Sequence, residues 1–161
     1  VQRLIYSIGS STRQIEDFIC ILRKFEIQAL ADVRRFPHSR FDHFTQKNLY
    51  SELESRGIRY FYLGDTLGGF RKKGYEDYTQ TQDFAFGVEK LKNIATQFVT
   101  AFMCAERFPW RCHRRFIAQN LEEDGWRVIH ILDEERTWEP KKLKIPPLGL
   151  SPRDRRPETG K

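Results

Sequence analysis

Apolar and polar positions along this chain alternate between two periods, short runs of strand character and longer stretches with an apolar residue every three or four positions. Residues 4–8 read as a first strand. Ser11, Thr12, Arg13 and Gln14 then have the form of a capping box opening a helix with Ile15, Phe18, Ile19, Leu22 and Phe25 on one face. Cys20 falls on that apolar stripe, where a buried, inert thiol is expected. Residues 27–33 make a second, buried strand. Thr45 is placed to N-cap a helix ending at Gly57, and residues 58–63 form a third strand. A Gly-rich stretch, residues 64–74, precedes a helix over 82–96 whose buried face carries Phe84, Val88, Leu91 and Ala95. Residues 98–103 suit a central strand. A helix bearing Phe116, Ile117 and Leu121 stops at Gly125, and residues 126–132 make a fifth strand. This alternation predicts an α/β single domain over residues 1–133, with a mainly parallel five-stranded sheet and helices on both faces, Rossmann-like or flavodoxin-like. From residue 134 the composition turns to Pro, Lys and Arg, so residues 134–161 are expected to form a mobile basic tail.

A length of 161 residues suits one domain with a continuous core. The net charge of +6, from 28 Lys and Arg against 22 Asp and Glu, points to a polyanion only if the basic residues cluster beside chemistry. The three cysteines, Cys20, Cys104 and Cys112, form no even-numbered framework. With neither a signal peptide nor an apolar run of the ~20 residues that span a bilayer, a reducing, cytoplasmic setting without membrane contact is the expectation.

Ligands of open parallel sheets bind beyond the carboxyl ends of the strands. The residues there form one expected rim: Ser7, Gly9, Ser10 and Ser11 after strand one; Asp32, Arg34 and Arg35 after strand two; Gly64 and Asp65 after strand three; Cys104 and Glu106 after strand four. The run from Arg111 to Arg114 opens the next helix. Asp32 and Glu106 each follow an apolar strand, where a charge needs a partner or a task. One can act as general base while the other orients it or stabilises positive charge; each can equally be paired with an Arg. Six residues separate Cys104 from Arg111, one more than in the phosphate-cradling loop of cysteine phosphatases, and Phe108, Pro109 and Trp110 between them are bulky. Cys104, Cys112 and His113 lack paired CxxC spacing and an evident fourth ligand, so no metal and no cofactor is expected. Packing is the favoured role for the thiols. His113, Arg114 and Arg115 at a helix start favour a bound anion.

Two loops interleave cations with aromatic rings. Residues 34–44 contain Arg34, Arg35, Phe36, His38, Arg40 and Phe41, and residues 68–75 contain Phe70, Arg71, Lys72 and Lys73. Such loops let Arg and Lys follow phosphates while rings stack on bases, so DNA or RNA is the expected partner.

Several motifs together resemble the domain of unknown function 488 family. They are residues 6–12, Asp32 to Pro37, Ser39 and Arg40, Gly57 to Tyr60, Leu67 to Gly69, Cys104 to Glu106 and Trp110 to Arg115, in order across residues 3–132. The family usually has His where this chain has Ser10. Some members look like DNA glycosylases that remove 5-hydroxymethyluracil, and the resemblance implies that activity here, in base excision repair. A glycosylase extrudes a nucleotide, stabilises an oxocarbenium-like sugar and releases the base as an anion. Asp32 and Glu106 are the catalytic candidates. Ser7, Gly9, Ser11, Arg34, Cys104, Arg111, His113 and Arg114 are the expected substrate contacts, with the two loops on the DNA. No Lys lies at a strand end, which disfavours a Schiff-base route. The alternatives are a non-catalytic nucleic-acid-binding module and a small-molecule hydrolase or phosphoesterase using Cys104.

Overall fold

A computed structural model describes residues 3–140 of the chain. Five parallel strands form the body of one sheet: β1 (Leu4–Gly9), β2 (Ala29–Asp32), β3 (Arg59–Tyr62), β4 (Thr100–Cys104) and β5 (Arg127–Ile131), with a short antiparallel β6 (Thr137–Trp138) beside β5. The order across the sheet is β3-β2-β4-β1-β5-β6. The helices are α1 (Ile15–Lys24), α2 (Gln46–Glu54), the four-residue turns α3 (Gly64–Leu67) and α4 (Tyr75–Tyr78), α5 (Gln82–Gln97) and α6 (Arg114–Glu123).

This order explains why both faces are covered. The chain first moves from β1 through β2 to the β3 edge, then returns through β4 to β5. Right-handed crossovers place helices from opposite directions of travel on opposite faces. Accordingly α1 and α2 supply Phe18, Leu22, Leu49 and Leu53 to one core layer, which also takes Ile8, Leu30 and Met103 from the sheet. On the other face α5 and α6 supply Phe84, Leu91, Ile117 and Leu121 against Ile5, Ala31, Phe102 and Val128. Successive strand residues alternate between the layers as a pleat requires. Odd positions of β1, and even positions of β4, therefore face α6. That parity brings Ser7 and Cys104 under the start of α6.

The helix boundaries follow local chemistry where local chemistry suffices. Thr81 caps α5, its hydroxyl oxygen accepting from the Phe84 N–H at 3.2 Å. Gly57, at φ 78°, sits in the left-handed region shortly after α2, as the sequence anticipates. At α1 the expected capping box does not form. Gln14 is the N-cap, without a side-chain bond, and Ser11 adopts φ 52°. Tertiary pairing is the cause. The N–H groups of Ser10 and Ser11 bond the carbonyls of Cys104 and Ala105, each at 2.9 Å, which extends the β1–β4 ladder past the strand ends.

Two further expectations are corrected. Cys20 is exposed, because the buried face of α1 is made by Phe18, Ile19, Ile21 and Leu22, leaving residue 20 on the outside. The expected tail contributes a strand: Trp138 in β6 packs against Trp110 and His130 at ring-centroid distances of 5.2 and 5.4 Å, which adds a sixth strand to the expected five. Residues 141–161, the rest of that tail, lie outside the described residues.

The loops after β1 and β4 approach so closely that a Cβ on Gly9 would sit 2.0 Å from the Glu106 carbonyl oxygen. Gly9→Ala must push backbone from backbone and is expected to cost roughly 1–3 kcal/mol. The urea midpoint should fall accordingly, and an unchanged midpoint would show that the two loops separate freely.

Candidate active site

The centre of the site is a buried guanidinium. Arg114, the first residue of α6, is fully buried and points under the ends of β1 and β4. Its Nε donates to Cys104 Sγ at 3.0 Å, Nη1 to Ser7 Oγ at 3.0 Å, and Nη2 to the carbonyl oxygens of Glu106 and Arg107 at 2.5 and 3.4 Å. The Ser7 hydroxyl, which accepts from Arg114, is also hydrogen-bonded to Nδ1 of His130. His130 is buried beside Arg114, and burial first, then that cation, pushes its imidazole down to about 3. It is therefore neutral.

No carboxylate among the described residues pairs with Arg114. The nearest groups able to carry negative charge are two thiols, Cys104 and Cys112, whose sulfurs are 2.6 Å apart. Cys112 precedes α6 and also accepts from the Arg114 backbone N–H at 3.4 Å, with His113 Nδ1 at 3.4 Å. The bond from Cys104, assisted by His113 and Arg114 against the cost of burial, holds the Cys112 thiol well below the usual thiol range. Burial pushes the Cys104 thiol well up. The pair thus titrates as a unit.

The two candidate carboxylates separate cleanly, although β2 and β4 are neighbours. Asp32 is fully buried. Its Oδ1 accepts from Arg34 Nε at 2.9 Å and the Arg34 N–H at 3.1 Å, and its Oδ2 accepts from Arg34 Nη2 at 2.8 Å and the Tyr60 hydroxyl at 2.5 Å. Arg34 Nη1 donates to the Phe44 carbonyl at 2.7 Å, so this pair fixes the start of the first basic loop. Burial, and then the Asp32 charge, push the Tyr60 hydroxyl far up, so it remains a donor to Asp32. Glu106 is exposed at the cleft, where only the Phe108 N–H approaches its Oε1, at 3.4 Å; no cationic side chain among the described residues pairs with it.

The cleft itself has a volume of about 610 Å³, within the range of roughly 300–1,000 Å³ usual for ligand sites. It is lined by Glu106, Arg111, Cys112 and His113 from the segment between β4 and α6, by Arg34, Arg35, Phe36, His38, Gly69 and Phe70 from the two basic loops, and by Tyr75. His113 is oriented by donating from Nε2 to the Val33 carbonyl at 2.9 Å, and its ring lies 5.1 Å from that of Tyr75. Phe36 and Phe70 are 57% and 85% exposed, with ring centroids 6.3 Å apart. Arg35 links the two basic loops by donating to the Phe70 carbonyl at 2.6 Å. An adjoining hollow is lined by Arg35, Arg71, Lys72 and Lys73. Among the described residues no group of three His, Cys, Asp or Glu side chains is arranged to hold a metal ion, and no helix there is long and apolar enough to cross a membrane.

Of the residues singled out from the sequence, the cleft gathers Glu106, Arg34, Arg35, Phe36, His38, Phe70, Cys104, Arg111 and His113. Asp32, Ser7, Gly9, Ser11 and Arg114 are not among its lining residues. Asp32, Ser7 and Arg114 are sealed in the layer beneath, and Gly9 and Ser11 are zipped to the loop after β4. Arg40 stacks on Phe41, which packs against the α1 side of the core, so neither belongs to the cleft wall. Arg71 is committed to the carbonyls of Gly68 and Asp65. Sequence reasoning undervalued Cys112 and passed over Tyr75 and His130. The helix-start position of Cys112 was the available signal; nothing local marks His130.

The chain belongs to the family described as the domain of unknown function DUF488, whose profile matches residues 14–121. That span includes the Asp32–Arg34 pair, both basic loops and the whole segment from Cys104 to Arg115, while β1 and its Ser7 precede it. No curated protein and no solved structure matches the chain.

The thiolate reading has a direct measurement. Cys112 is faced by Cys104, Arg114, His113, His130, Tyr75 and the cleft residues Glu106 and Arg111. A thiol held well below the usual range is already ionised at neutral pH. Alkylation of Cys112 by iodoacetamide should therefore slow far less between about pH 8 and about pH 6 than that of free glutathione, which slows about tenfold per unit. A Cys112 rate that tracks glutathione would show a protonated thiol.

Proposed function

We propose that this protein is a monofunctional DNA glycosylase, hydrolysing the N-glycosidic bond of a modified pyrimidine, with 5-hydroxymethyluracil the substrate to test first. One observation carries the reading: an exposed carboxylate, Glu106, with no cationic partner among the described residues, lies in a cleft bordered by cations and two exposed aromatic rings. An extruded nucleotide must pass that border. Phe36 and Phe70 offer ring faces for stacking on its neighbours, and Arg35, Lys72 and Lys73 offer charge for the phosphates.

Within the cleft, Glu106 takes the proton of the attacking water and faces the developing oxocarbenium charge. Arg111, which lines the same cleft and lies over the Phe108 ring, stabilises the departing base anion. Asp32 has no such freedom, because Arg34 and Tyr60 occupy both its oxygens. Its work is to hold the first basic loop. The choice between two carboxylates that the sequence left open thus falls on Glu106.

With a duplex carrying 5-hydroxymethyluracil, the wild-type protein should leave an alkali-labile abasic site. Glu106→Gln should lower the single-turnover rate roughly 10²–10⁴-fold with little change in stability. Asp32→Asn should instead destabilise the fold, by roughly 3–5 kcal/mol for a broken buried pair. Intact strands across a panel of modified bases would overturn the glycosylase reading, and salt-sensitive binding without cleavage would then mark a binding module. Full activity in Glu106→Gln would remove Glu106 from the mechanism.

A further inference from the structure

The cleft wall carries a second chemistry that base excision does not use. Cys112 lines the cleft and Cys104 sits directly behind it, 3% exposed, with the two sulfurs in contact. They come from different elements, the end of β4 and the residue pair that opens α6, so the contact is built by the fold rather than by chain adjacency. The Arg114 guanidinium donates to Cys104 and the Arg114 backbone N–H donates to Cys112, while His113 Nδ1 lies beside Cys112 and the Glu106 carbonyl beside Cys104. No carboxylate among the described residues pairs with the Arg114 guanidinium, and the cysteine pair that can carry a negative charge lies directly against it.

We propose that Cys112 and Cys104 form a dithiol site that reacts with small hydroperoxides, Cys112 attacking from the cleft and Cys104 resolving from behind. Hydroperoxides are neutral and compact, and need from the protein a thiolate open to them and a second thiol in reach; Cys112 lines the cleft and Cys104 touches it. In the first step the Cys112 sulfur attacks one peroxide oxygen. The S–O bond forms as the O–O bond breaks, and the departing hydroxide or alkoxide takes a proton from solvent. Cys112 is then a sulfenic acid, its sulfur oxidised by two electrons and the peroxide reduced by two. In the second step the Cys104 sulfur, its negative charge stabilised by Arg114, attacks Cys112. The S–S bond forms, the S–O bond breaks, and the hydroxyl leaves with the Cys104 proton as water. The sum is two thiols and one peroxide giving a disulfide and two waters, or water and an alcohol. The product ties the end of β4 to the start of α6 and removes the negative charge from beside Arg114 and His113.

Cys20 provides an internal comparison, because it is exposed on α1 and far from either thiol in the fold. The reduced full chain is treated with one equivalent of hydrogen peroxide, digested with trypsin without reduction and analysed by mass spectrometry. Arg107 and Arg111 lie between the two cysteines, so cleavage separates them unless they are linked. The expected result is a Cys104–Cys112 cross-link that forms about tenfold or more faster than Cys20 is oxidised, and that a dithiol reductant reverses. In Cys104→Ser, dimedone should trap a sulfenic acid at Cys112. The wild-type comparison stands alone if that variant does not fold. Oxidation of Cys20 at the same rate as Cys112, links through Cys20, or sulfinic acid without a disulfide would each overturn the proposal. Failure to cleave any modified oligonucleotide would leave it standing, since neither step involves DNA.

Discussion

The burial of one guanidinium organises everything around the site. Arg114 is taken wholly out of water, and a cation there demands donors' partners on every side. It finds them in Ser7 from β1, Cys104 from β4 and the carbonyls of the loop that carries Glu106. The end of β1 is thereby held to the segment from Cys104 to Arg114, which lies far from it in sequence. The same cation adds to the burial that keeps His130 neutral and to the Cys104 bond that lowers the Cys112 thiol. A lysine could not substitute for it, because an ammonium offers a point charge in place of a planar fork.

A second buried pair, Asp32 with Arg34, does for the opposite wall what Arg114 does for this one. It spends a carboxylate and a guanidinium on shape, fixing the turn from β2 into the loop that displays Arg35, Phe36 and His38. The cleft between the two anchors is left with groups that are not used for structure: Glu106, Arg111, the exposed rings of Phe36 and Phe70, and the lysines of the neighbouring hollow. Such division is physically sensible. Buried ionic groups give precise placement at a cost in desolvation, and exposed ones retain freedom to engage a ligand.

The strand order also matters to the chemistry. Insertion of β4 between β1 and β2 brings Cys104 and Glu106 into the middle of the sheet, flanked on one side by Ser7 and on the other by Asp32. The chain reverses its direction across the sheet between β3 and β4, and the cleft opens above the β2 and β4 ends, where loops run to opposite faces. Family membership covers this region, from α1 through most of α6.

Periodicity alone determined much of this protein. The strand and helix succession, the two-sided burial and the collection of polar residues beyond the strand ends were all legible, because they depend on local patterns of 2.0 and 3.6 residues and on the rule that parallel strands share a functional edge. Helix α5 matches its expected span within a residue, since Thr81 and the spacing of Phe84, Val88 and Leu91 are local signals. What only the tertiary structure decided is which polar residues face inward. Asp32 and Glu106 look equivalent in sequence, yet one is sealed by Arg34 and Tyr60 and the other is open to the cleft. Ser11 carries the composition of a capping box, but pairing with Ala105 takes its backbone elsewhere. Cys112 reads as a packing residue until Cys104, eight positions away, is placed against it. Long-range contacts of this kind set the desolvation and charge around each group, and those quantities, which decide whether a side chain is scaffold or reagent, are not written in any local stretch of the chain.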